Sequence, residues 1–256
     1  MRTGIAVGAC VLFFALALAI RAPAALVDSR LQAISGGSAR LADASGTVWN
    51  GRGALWLAPG YATPRFEWHL DAWPLLAGEL HGWLVGEHGG EPRASFAISG
   101  GALALRDVAL AVPAQALLHA AGAPEALASA GGTIGLRSDA LSLRSDAIDG
   151  RIAMRWDGAT LSGPRPEARV ALGDVRLDAV GQGNALTGTL ANAGGDVDIS
   201  GSARASTDGA ARVEAVIRPR AGIDAERARA IAAALAVLGR PEGADGYHVS
   251  WSAPSR

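Results

Sequence analysis

The sequence predicts a mostly β fold, in which a single N-terminal transmembrane helix precedes a twisted antiparallel β-sheet body with a few short helices. Three observations lead to this class. The chain opens with a long apolar run without charges, and short segments of alternating apolar and polar residues follow it. The chain has 34 glycines, and glycine and other turn-forming residues separate those segments. Strand patterns do not alternate with long helical ones, so parallel βαβ units are not expected.

The first element is the apolar run from Gly4 to Ile20, which lies between Arg2 and Arg21. As a helix it would be roughly 25 Å long, enough to span a bilayer core of about 30 Å when the flanking arginines extend towards the headgroups. The run is longer than the apolar part of a secretory signal, although Ala22-Pro23-Ala24 leaves cleavage open as an alternative. We therefore expect a membrane anchor over residues 1–21. The residues assigned to the anchor are Gly4, Val11, Phe13, Phe14, Leu16, Leu18 and Ile20.

The remaining chain, residues 22–256, is expected to form one β-rich domain outside the membrane. The formal net charge is −1, all 23 basic residues are arginine, and no long basic cluster occurs. This pattern argues against a nucleic-acid partner. The single cysteine, Cys10, lies in the apolar run, so a disulfide framework and a cysteine metal site are excluded. A very short tail before the run favours export of the long body.

The strands are predicted where apolar and polar residues alternate, since a half-buried strand has a period of two. These segments are Phe66–Leu70, Leu141–Leu143, Ile152–Trp156, Val175–Asp178, Val197–Ile199 and Tyr247–Trp251. Between Gly101 and Val112 the apolar phase changes at Arg106-Asp107, which predicts a bulge or a tight turn. Turns are predicted at four glycine-containing sites. They are Ser99-Gly100-Gly101, Asp149-Gly150, Asp157-Gly158 and Asp208-Gly209.

Helices are few in this pattern. The best one runs from Asp224 to Leu238, with Asp224 as the capping residue and an apolar stripe that includes Ile231 and Leu235. Weaker helical spacing covers Leu26–Ile34. Shorter helices are predicted over Pro113–Ala121 and Pro124–Ser129.

Polar residues that could carry chemistry are sparse. The densest group is Glu79, His81, Glu87, His88 and Glu91, which we interpret as solvated turn residues rather than a metal site. A Gly-x-Ser-x-Gly elbow is missing, and a chain without lysine has no Gly-Lys-Ser phosphate loop. We therefore expect no enzyme activity, no catalytic, cofactor or metal site, and no small-molecule substrate.

Tryptophan is concentrated in the first third of the chain. Five of the seven tryptophans lie there, namely Trp49, Trp56, Trp68, Trp73 and Trp83. One interpretation places these rings in a local core below the first strands. The other places them in an exposed patch that contacts a partner protein or a membrane surface. The sequence leaves both open.

Several motifs occur in an order that is found in one family. The first is Ser-Gly-Thr-Val-Trp-Asn-Gly at Ser45–Gly51, and the strand Phe66–Leu70 then runs into a Trp-Pro-Leu-Leu stretch within Asp71–Leu80. Later come Gly-Gly-Asp-Val-Asp-Ile-Ser-Gly at residues 194–201, a final helix, and Asp-Gly-Tyr-His-Val-Ser-Trp at residues 245–251. Together with the N-terminal apolar run, this order resembles the type II secretion system protein N family of Gram-negative bacteria, over nearly the whole chain.

The resemblance implies a single-pass protein of the cell inner membrane, with residues 22–256 as a periplasmic domain. It implies an accessory role in the machinery that moves folded proteins from the periplasm through an outer-membrane secretin. The implied partners are other inner-membrane subunits, with the secretin as a further candidate. The resemblance carries over no catalytic residue, since the ATPase of such systems is a separate cytoplasmic subunit.

A second family offers an alternative of another class. An N-terminal anchor followed by a long, glycine-rich antiparallel sheet is also similar to AsmA-like envelope proteins, which are implicated in lipid movement. That alternative predicts an apolar β groove in place of a packed core. The two readings differ in whether the alternating Leu, Val and Ile side chains point into a covered core or into an open trough. A periplasmic enzyme, the third alternative, would need converging polar groups.

Overall fold

The computed structural model describes residues 21–57, 60–120, 130–162, 169–243 and 246–253. The chain divides into two compact units, Met1–Pro92 (unit 1) and Arg93–Arg256 (unit 2), which are described separately. Apart from Arg21, the predicted anchor lies outside the described residues. Within the described part, each helix is too short or too polar to cross a membrane. The N-terminal transmembrane helix and the domain boundary after it therefore stay predictions.

Unit 1 is an antiparallel sheet with one α-helix. Its elements are α1 (Ala25–Ser35), β1 (Ala39–Gly46), β2 (Asn50–Leu57), β3 (Tyr61–Ala62), β4 (Phe66–Asp71), a 3₁₀ helix (Trp73–Ala77), β5 (Leu80–Gly86) and a second 3₁₀ helix (Glu87–Gly89). The strand order is β1-β2-β4-β5, and β3 pairs with the end of β2. The helix predicted over Leu26–Ile34 and the strand predicted over Phe66–Leu70 are confirmed.

The core of unit 1 is small. Ala24, Leu41 and Trp68 are its buried members, and Val27 and Leu31 of α1 pack against them. The Asp28 carboxylate of α1 accepts a hydrogen bond from the Leu41 backbone N–H at 2.7 Å, which fixes the helix beside β1. A core of this size leaves few places for the other large apolar side chains of the unit.

Unit 2 contains the longer strands. Its elements are β6 (Arg93–Ser99), β7 (Ala102–Pro113), α2 (Ala114–Ala120), β8 (Ala130–Leu143), β9 (Ile148–Ser162), β10 (Arg169–Gln182), β11 (Ala185–Ala193), β12 (Val197–Ser206), β13 (Ala211–Pro219), α3 (Ala225–Leu238), β14 (Arg240–Glu242) and β15 (Gly246–Ala253). Neighbours in the chain pair antiparallel from β6 to β13. The order ends β13-β15-β14, because β15 inserts between β13 and β14.

The two faces of the unit 2 sheet differ in polarity. The register sets Leu136, Met154, Leu177 and Leu190 in one row across β8 to β11. The alternate positions, such as Arg176, are exposed on the other face. The strands predicted from alternation, at 141–143, 152–156, 175–178, 197–199 and 247–251, are all confirmed.

Helices α2 and α3 pack on the apolar face of unit 2. Ile231 and Leu235 of α3 are 0% and 1% exposed, and they belong to one core cluster with Val175, Ile199 and Ile217. The Asp224 carboxylate accepts hydrogen bonds from the first-turn N–H groups, as predicted for the cap of α3.

The shorter predicted helices are only partly described. Helix α2 starts at Ala114 because β7 continues through Pro113. The helix predicted over Pro124–Ser129 lies outside the described residues.

Two of the predicted turns are wrong. Ser99-Gly100-Gly101 and Asp208-Gly209 do connect strands, but Asp149-Gly150 and Asp157-Gly158 lie inside β9. Gly150 and Gly158 have φ values of 125° and 60°, near shifts in the β8–β9 register. Glycine supplies a positive φ to a bulge as readily as to a turn, so the dipeptide misled the prediction.

The bulge predicted at Arg106-Asp107 is confirmed. Asp107 has a φ of 51°, and the β6–β7 register shifts beside it, with Ser95 opposite Arg106 and Arg93 opposite Ala109. The extra residue on β7 explains the change of apolar phase that the sequence shows at this point.

Candidate functional site

The Ser45–Gly51 motif forms the turn between β1 and β2. The Thr47 N–H donates to the Asn50 carbonyl at 2.8 Å, and the Asn50 N–H donates to the Thr47 hydroxyl at 3.1 Å. Gly46 has a φ of 93°, and a Cβ there would lie 2.5 Å from the Asn50 carbonyl oxygen. The threonine and the first glycine of the motif therefore close the turn.

The same turn holds Trp68 in the unit 1 core. The Trp68 indole N–H donates to the Val48 carbonyl at 3.0 Å, so this 8% exposed ring has its polar atom satisfied. Gly51 lies directly against the ring, and a Cβ on Gly51 would come within 2.2 Å of it. The second glycine of the motif is thus required by close packing, and the motif as a whole is a structural device around Trp68.

Residues 22–24, where the chain leaves the predicted anchor, are bound to this turn. The Val48 N–H donates to the Ala22 carbonyl at 2.9 Å, and the Ala24 N–H donates to the Gly46 carbonyl at 3.2 Å. Pro23 forms an isolated antiparallel bridge with Thr47. We call this end of the unit 1 sheet, where the β1–β2 turn lies, the Pro23 end.

The connection between β4 and β5 also lies at the Pro23 end. The Leu70 N–H, near the end of β4, donates to the Trp49 carbonyl at 2.7 Å. Asp71 pairs with His81 at the start of β5, and the 3₁₀ helix Trp73–Ala77 fills the interval between the two strands. The tryptophans of the motif and of the 3₁₀ helix therefore share one end of the sheet.

The five tryptophans do not have a common environment. Trp68 is buried, Trp49 and Trp56 are half-buried, and Trp83 is 41% exposed. Trp73 is 83% exposed in the 3₁₀ helix. The core interpretation therefore describes Trp68, and the exposed-patch interpretation describes Trp73.

The exposed 3₁₀ helix carries two further apolar side chains that sequence reasoning did not select. Leu76 is 83% exposed and Leu75 is 41% exposed. Pro74 stands in the first turn, and Gly78, at a φ of 75°, ends the segment. The sequence signals the turn through Pro74 and Gly78, because proline and glycine between two strand patterns mark a turn. It does not signal that the leucines in this turn are exposed.

Polar residues surround this segment on the adjoining strands. His69 contacts Asn50, lies 3.0 Å from the Asp71 carboxylate, and stacks on Trp83 with a centroid distance of 5.7 Å. His81 pairs with Glu79 at 3.2 Å. Each histidine is therefore held by neighbouring side chains of the sheet.

The polar residues that the sequence places between Glu79 and Glu91 are distributed from the start of β5 to the residues after its end. Glu79 and His81 lie at the start of the strand, whereas Glu87 follows its end. In the described residues, no three or more His, Cys, Asp or Glu side chains come together as metal ligands would. Glu79 and His81 are thus separated from Glu87 by the length of β5.

The partly buried polar side chains of unit 2 bind the backbone of its strands. Asn192 Nδ2 donates to the carbonyls of Leu172 (2.6 Å) and Val197 (2.8 Å), and Asn192 Oδ1 accepts from the Ile199 N–H at 2.7 Å. These bonds connect β10, β11 and β12 at the end of the sheet that α3 covers. Asn192 is thus a structural residue.

Asp196 has a similar role beside α3. Its carboxylate accepts from the Ala171 N–H at 3.1 Å and from the Arg227 guanidinium at 2.6 Å. Burial raises the pKa of Asp196, but the hydrogen bonds and positive charge of these partners outweigh it and hold the pKa below its usual value. The ion pair fixes α3 to the strand ends.

The outermost strand β14 has three residues, whereas its neighbour β15 has eight. β14 pairs only with residues Gly246–His248 of β15. In the part of the chain that the structure describes, no strand pairs with the outer side of Val249–Ala253. Ser250 and Ser252 point from this edge strand into solvent on the polar face. Unpaired backbone groups along an edge can bind an extended segment of another chain.

In the part of the chain that the structure describes, these features define an antiparallel β protein with a helix-covered sheet, an exposed aromatic turn and a strand edge that no other described strand covers. The family model described as type II secretion system (T2SS), protein N, matches residues 38–250. The chain belongs to that family, which confirms the resemblance seen in the sequence. Membership associates the chain with the type II secretion machinery of the bacterial envelope and with its other subunits in general. No curated protein and no solved structure was found to match the chain.

Proposed function

We propose that this chain is an accessory inner-membrane component of the type II secretion machinery and acts through protein contacts in the periplasm. Residues 1–21 anchor it, and residues 22–256 form the periplasmic part. Its partners are other inner-membrane subunits, with the secretin as a further partner. It has no enzymatic activity of its own and uses no cofactor or small-molecule substrate.

The observation that carries the proposal is the outer edge of β15. Residues Val249–Ala253 continue beyond the three-residue strand β14, and among the described residues no strand pairs with their outer side. We take their outward backbone groups as the site where another chain pairs. The side chains alternate between half-buried Trp251 and exposed Ser250 and Ser252. An added strand would therefore meet an apolar row on one side and small polar residues on the other.

The packing of unit 2 supports protein contacts over a lipid groove. The apolar side chains of Val175, Ile199 and Ile217 are buried below α3 rather than left in an open trough. An acyl chain would have to displace Ile231 and Leu235, which are almost fully buried.

The use of polar groups supports a structural role as well. Asn192 and Asp196 are engaged with backbone groups and with Arg227, and no buried side-chain polar atom in the described residues lacks a partner. A catalytic group must be able to exchange protons or electrons with a substrate, so it lies in a cleft that the substrate enters. Asn192 and Asp196 instead bind the backbone of the sheet and a helix side chain.

The proposal is tested by photo-crosslinking the full-length protein in its native envelope. Amine-reactive reagents are unsuitable because the chain has no lysine. A benzoylphenylalanine is placed at position 252, on the edge strand. The matched control is position 202, an exposed serine on the same polar face, because Ser202 lies in β12 between β11 and β13. Adducts are identified by mass spectrometry.

We expect secretion subunits in adducts from position 252 and far fewer from position 202. Secretion subunits recovered mainly from position 202 would place the contact on the polar face instead of the edge. Failure to recover any secretion subunit from either position contradicts the proposed protein contacts. Phospholipid or lipid-transport proteins in their place would favour the AsmA-like alternative.

A further inference from the structure

We infer that the 3₁₀ helix Trp73–Ala77 inserts its apolar side chains into the lipid–water interface of the membrane that holds the anchor. The inference rests on the proposed function, in that it takes residues 4–20 to span that membrane. It adds a second contact with the bilayer, made by the folded part of the chain.

The first step is the short distance between the anchor and unit 1. Ala22, Pro23 and Ala24 are bound to the turn between β1 and β2, and Ala24 is 2% exposed in the core. From Arg21 to Ala24 an extended chain reaches only about 10 Å. The Pro23 end of unit 1 is therefore held at the membrane surface.

The second step is the place of the 3₁₀ helix in unit 1. β4 reaches the Pro23 end at Leu70, whose N–H binds the Trp49 carbonyl, and β5 leaves the same end after Gly78. The segment Trp73–Ala77 thus projects from the end of the sheet to which the anchor is attached.

The third step is the chemistry of the projecting side chains. Trp73 and Leu76 are each 83% exposed, Leu75 is 41% exposed, and Leu26 at the start of α1 is 50% exposed. Large apolar groups gathered at one surface mark a contact site. Tryptophan is enriched at membrane interfaces because its ring is apolar and its N–H remains hydrated.

The charges near the 3₁₀ helix decide which kind of lipid surface fits. Asp71 and Glu79 flank it, each beside a histidine, and no arginine occurs between Phe66 and Pro92. A basic patch for anionic headgroups is therefore missing from this stretch. Insertion depends on apolar side chains, so it should occur in zwitterionic lipid and should resist salt.

The experiment uses the full-length protein in phosphatidylcholine vesicles. Cys10→Ser removes the only native cysteine, and Leu76→Cys introduces a site for an environment-sensitive fluorophore. The control is Glu87→Cys, an exposed position beyond the other end of β5. That strand separates the two probes by roughly 20 Å. Nitroxide-labelled lipid quenches a fluorophore only when it lies in the bilayer.

We expect several-fold stronger quenching at position 76 than at position 87, and no loss of it in high salt. Flotation of the vesicles after an alkaline wash reports separately on the anchor. Protein that floats while its position 76 probe stays in water overturns the inference and leaves the anchor intact. Protein that does not float contradicts the anchor, and the inference with it. A position 76 probe that becomes shielded only when secretion subunits are added shows a protein site instead, and also overturns the inference.

Discussion

In unit 2 the side chains of Ile231 and Leu235 are 0% and 1% exposed, whereas in unit 1 those of Trp73 and Leu76 are each 83% exposed. Both sets are large and apolar, and both lie in a helix that follows a strand. Helix α3 follows β13, and the 3₁₀ helix Trp73–Ala77 follows β4. Of the exposed large apolar residues in the described part, five belong to unit 1, namely Leu26, Trp73, Leu75, Leu76 and Trp83. Only Ile98 and Val180 belong to unit 2.

The difference follows from what each sheet has to cover it. A 14-residue helix, α3, covers the apolar face of the unit 2 sheet. The apolar side chains of that face are therefore buried in the core of unit 2. Unit 1 has a core of three buried residues beside α1. Large apolar side chains that this core does not bury, such as Trp73 and Leu76, remain exposed. They lie at the Pro23 end, next to the predicted anchor.

The largest effect is expected from emptying the unit 2 core. Leu235→Ala should lower the free energy of unfolding by about 3 kcal/mol, because it opens a cavity below α3. Ala233→Ser, on the exposed side of the same helix, should cost only about 0.5 kcal/mol. Urea unfolding of the full-length protein in detergent, followed by circular dichroism, measures both. Equal effects of the two variants would contradict the helix-covered core.

A slightly smaller effect is expected at Asn192. Asn192→Ala leaves the carbonyls of Leu172 and Val197 and the Ile199 N–H without their partner, which should cost about 2–3 kcal/mol. Asn184→Ala, at an exposed turn position, is the control and should change stability little. The same unfolding measurement applies. A tolerated Asn192→Ala would mean that water replaces the side chain and that the strand ends are open.

The motif of unit 1 is tested at its second glycine. Gly51→Ala would force a methyl group against the Trp68 ring and should cost about 2 kcal/mol. Gly135→Ala in β8 has no atom nearer than 3.8 Å to the added Cβ, and it should be neutral or stabilise by about 0.5 kcal/mol. Unfolding monitored by tryptophan fluorescence distinguishes them. A Gly51→Ala variant with the stability of the parent would contradict the inference that Gly51 is required by its packing against Trp68.

The smallest of these effects concerns the Asp196–Arg227 ion pair. Because the folded-state pKa of Asp196 is lowered, its stabilisation is present at neutral pH and is lost as the pH falls through that pKa. Asp196→Asn should therefore cost about 1–2 kcal/mol at pH 7 and should reduce the loss of stability on acidification below about pH 4.

The control for Asp196 is a surface carboxylate. Asp146 is 82% exposed and lies 3.7 Å from Arg144, so Asp146→Asn should leave both the stability and its acid dependence nearly unchanged. Unfolding free energies measured between pH 3 and pH 7 test the pair of variants. An Asp196→Asn protein with the pH profile of the parent would contradict the lowered pKa.

The sequence predicts much of the fold because alternation and capping are local signals. The strands around Trp156 and Val197, the helix capped by Asp224 and the bulge at Asp107 are all read from a few neighbouring residues. The failures at Gly150 and Gly158 have the opposite cause, since a positive φ in a long strand depends on the register with its neighbour. The insertion of β15 between β13 and β14 likewise depends on which strands pair, and the alternation of apolar and polar residues does not predict that.

The candidate site was predicted only in part. The tryptophans were selected by their clustering, but their burial depends on which ring the Thr47 turn encloses. The sequence does not predict the exposure of Leu75 and Leu76, because exposure of an apolar side chain is decided by the size of the core below it. The edge at Ser252 depends on the shortness of β14, which the polar sequence Arg240–Glu242 does not reveal.

The contrast between the two units is tested most directly by photo-crosslinking from both of their exposed sites in the native envelope. A diazirine residue is placed at position 76 of unit 1 in one variant and at position 252 of unit 2 in another. We predict lipid adducts from position 76 and adducts with secretion subunits from position 252. Secretion subunits bound at position 76, with lipid at position 252, would contradict this assignment of the two units.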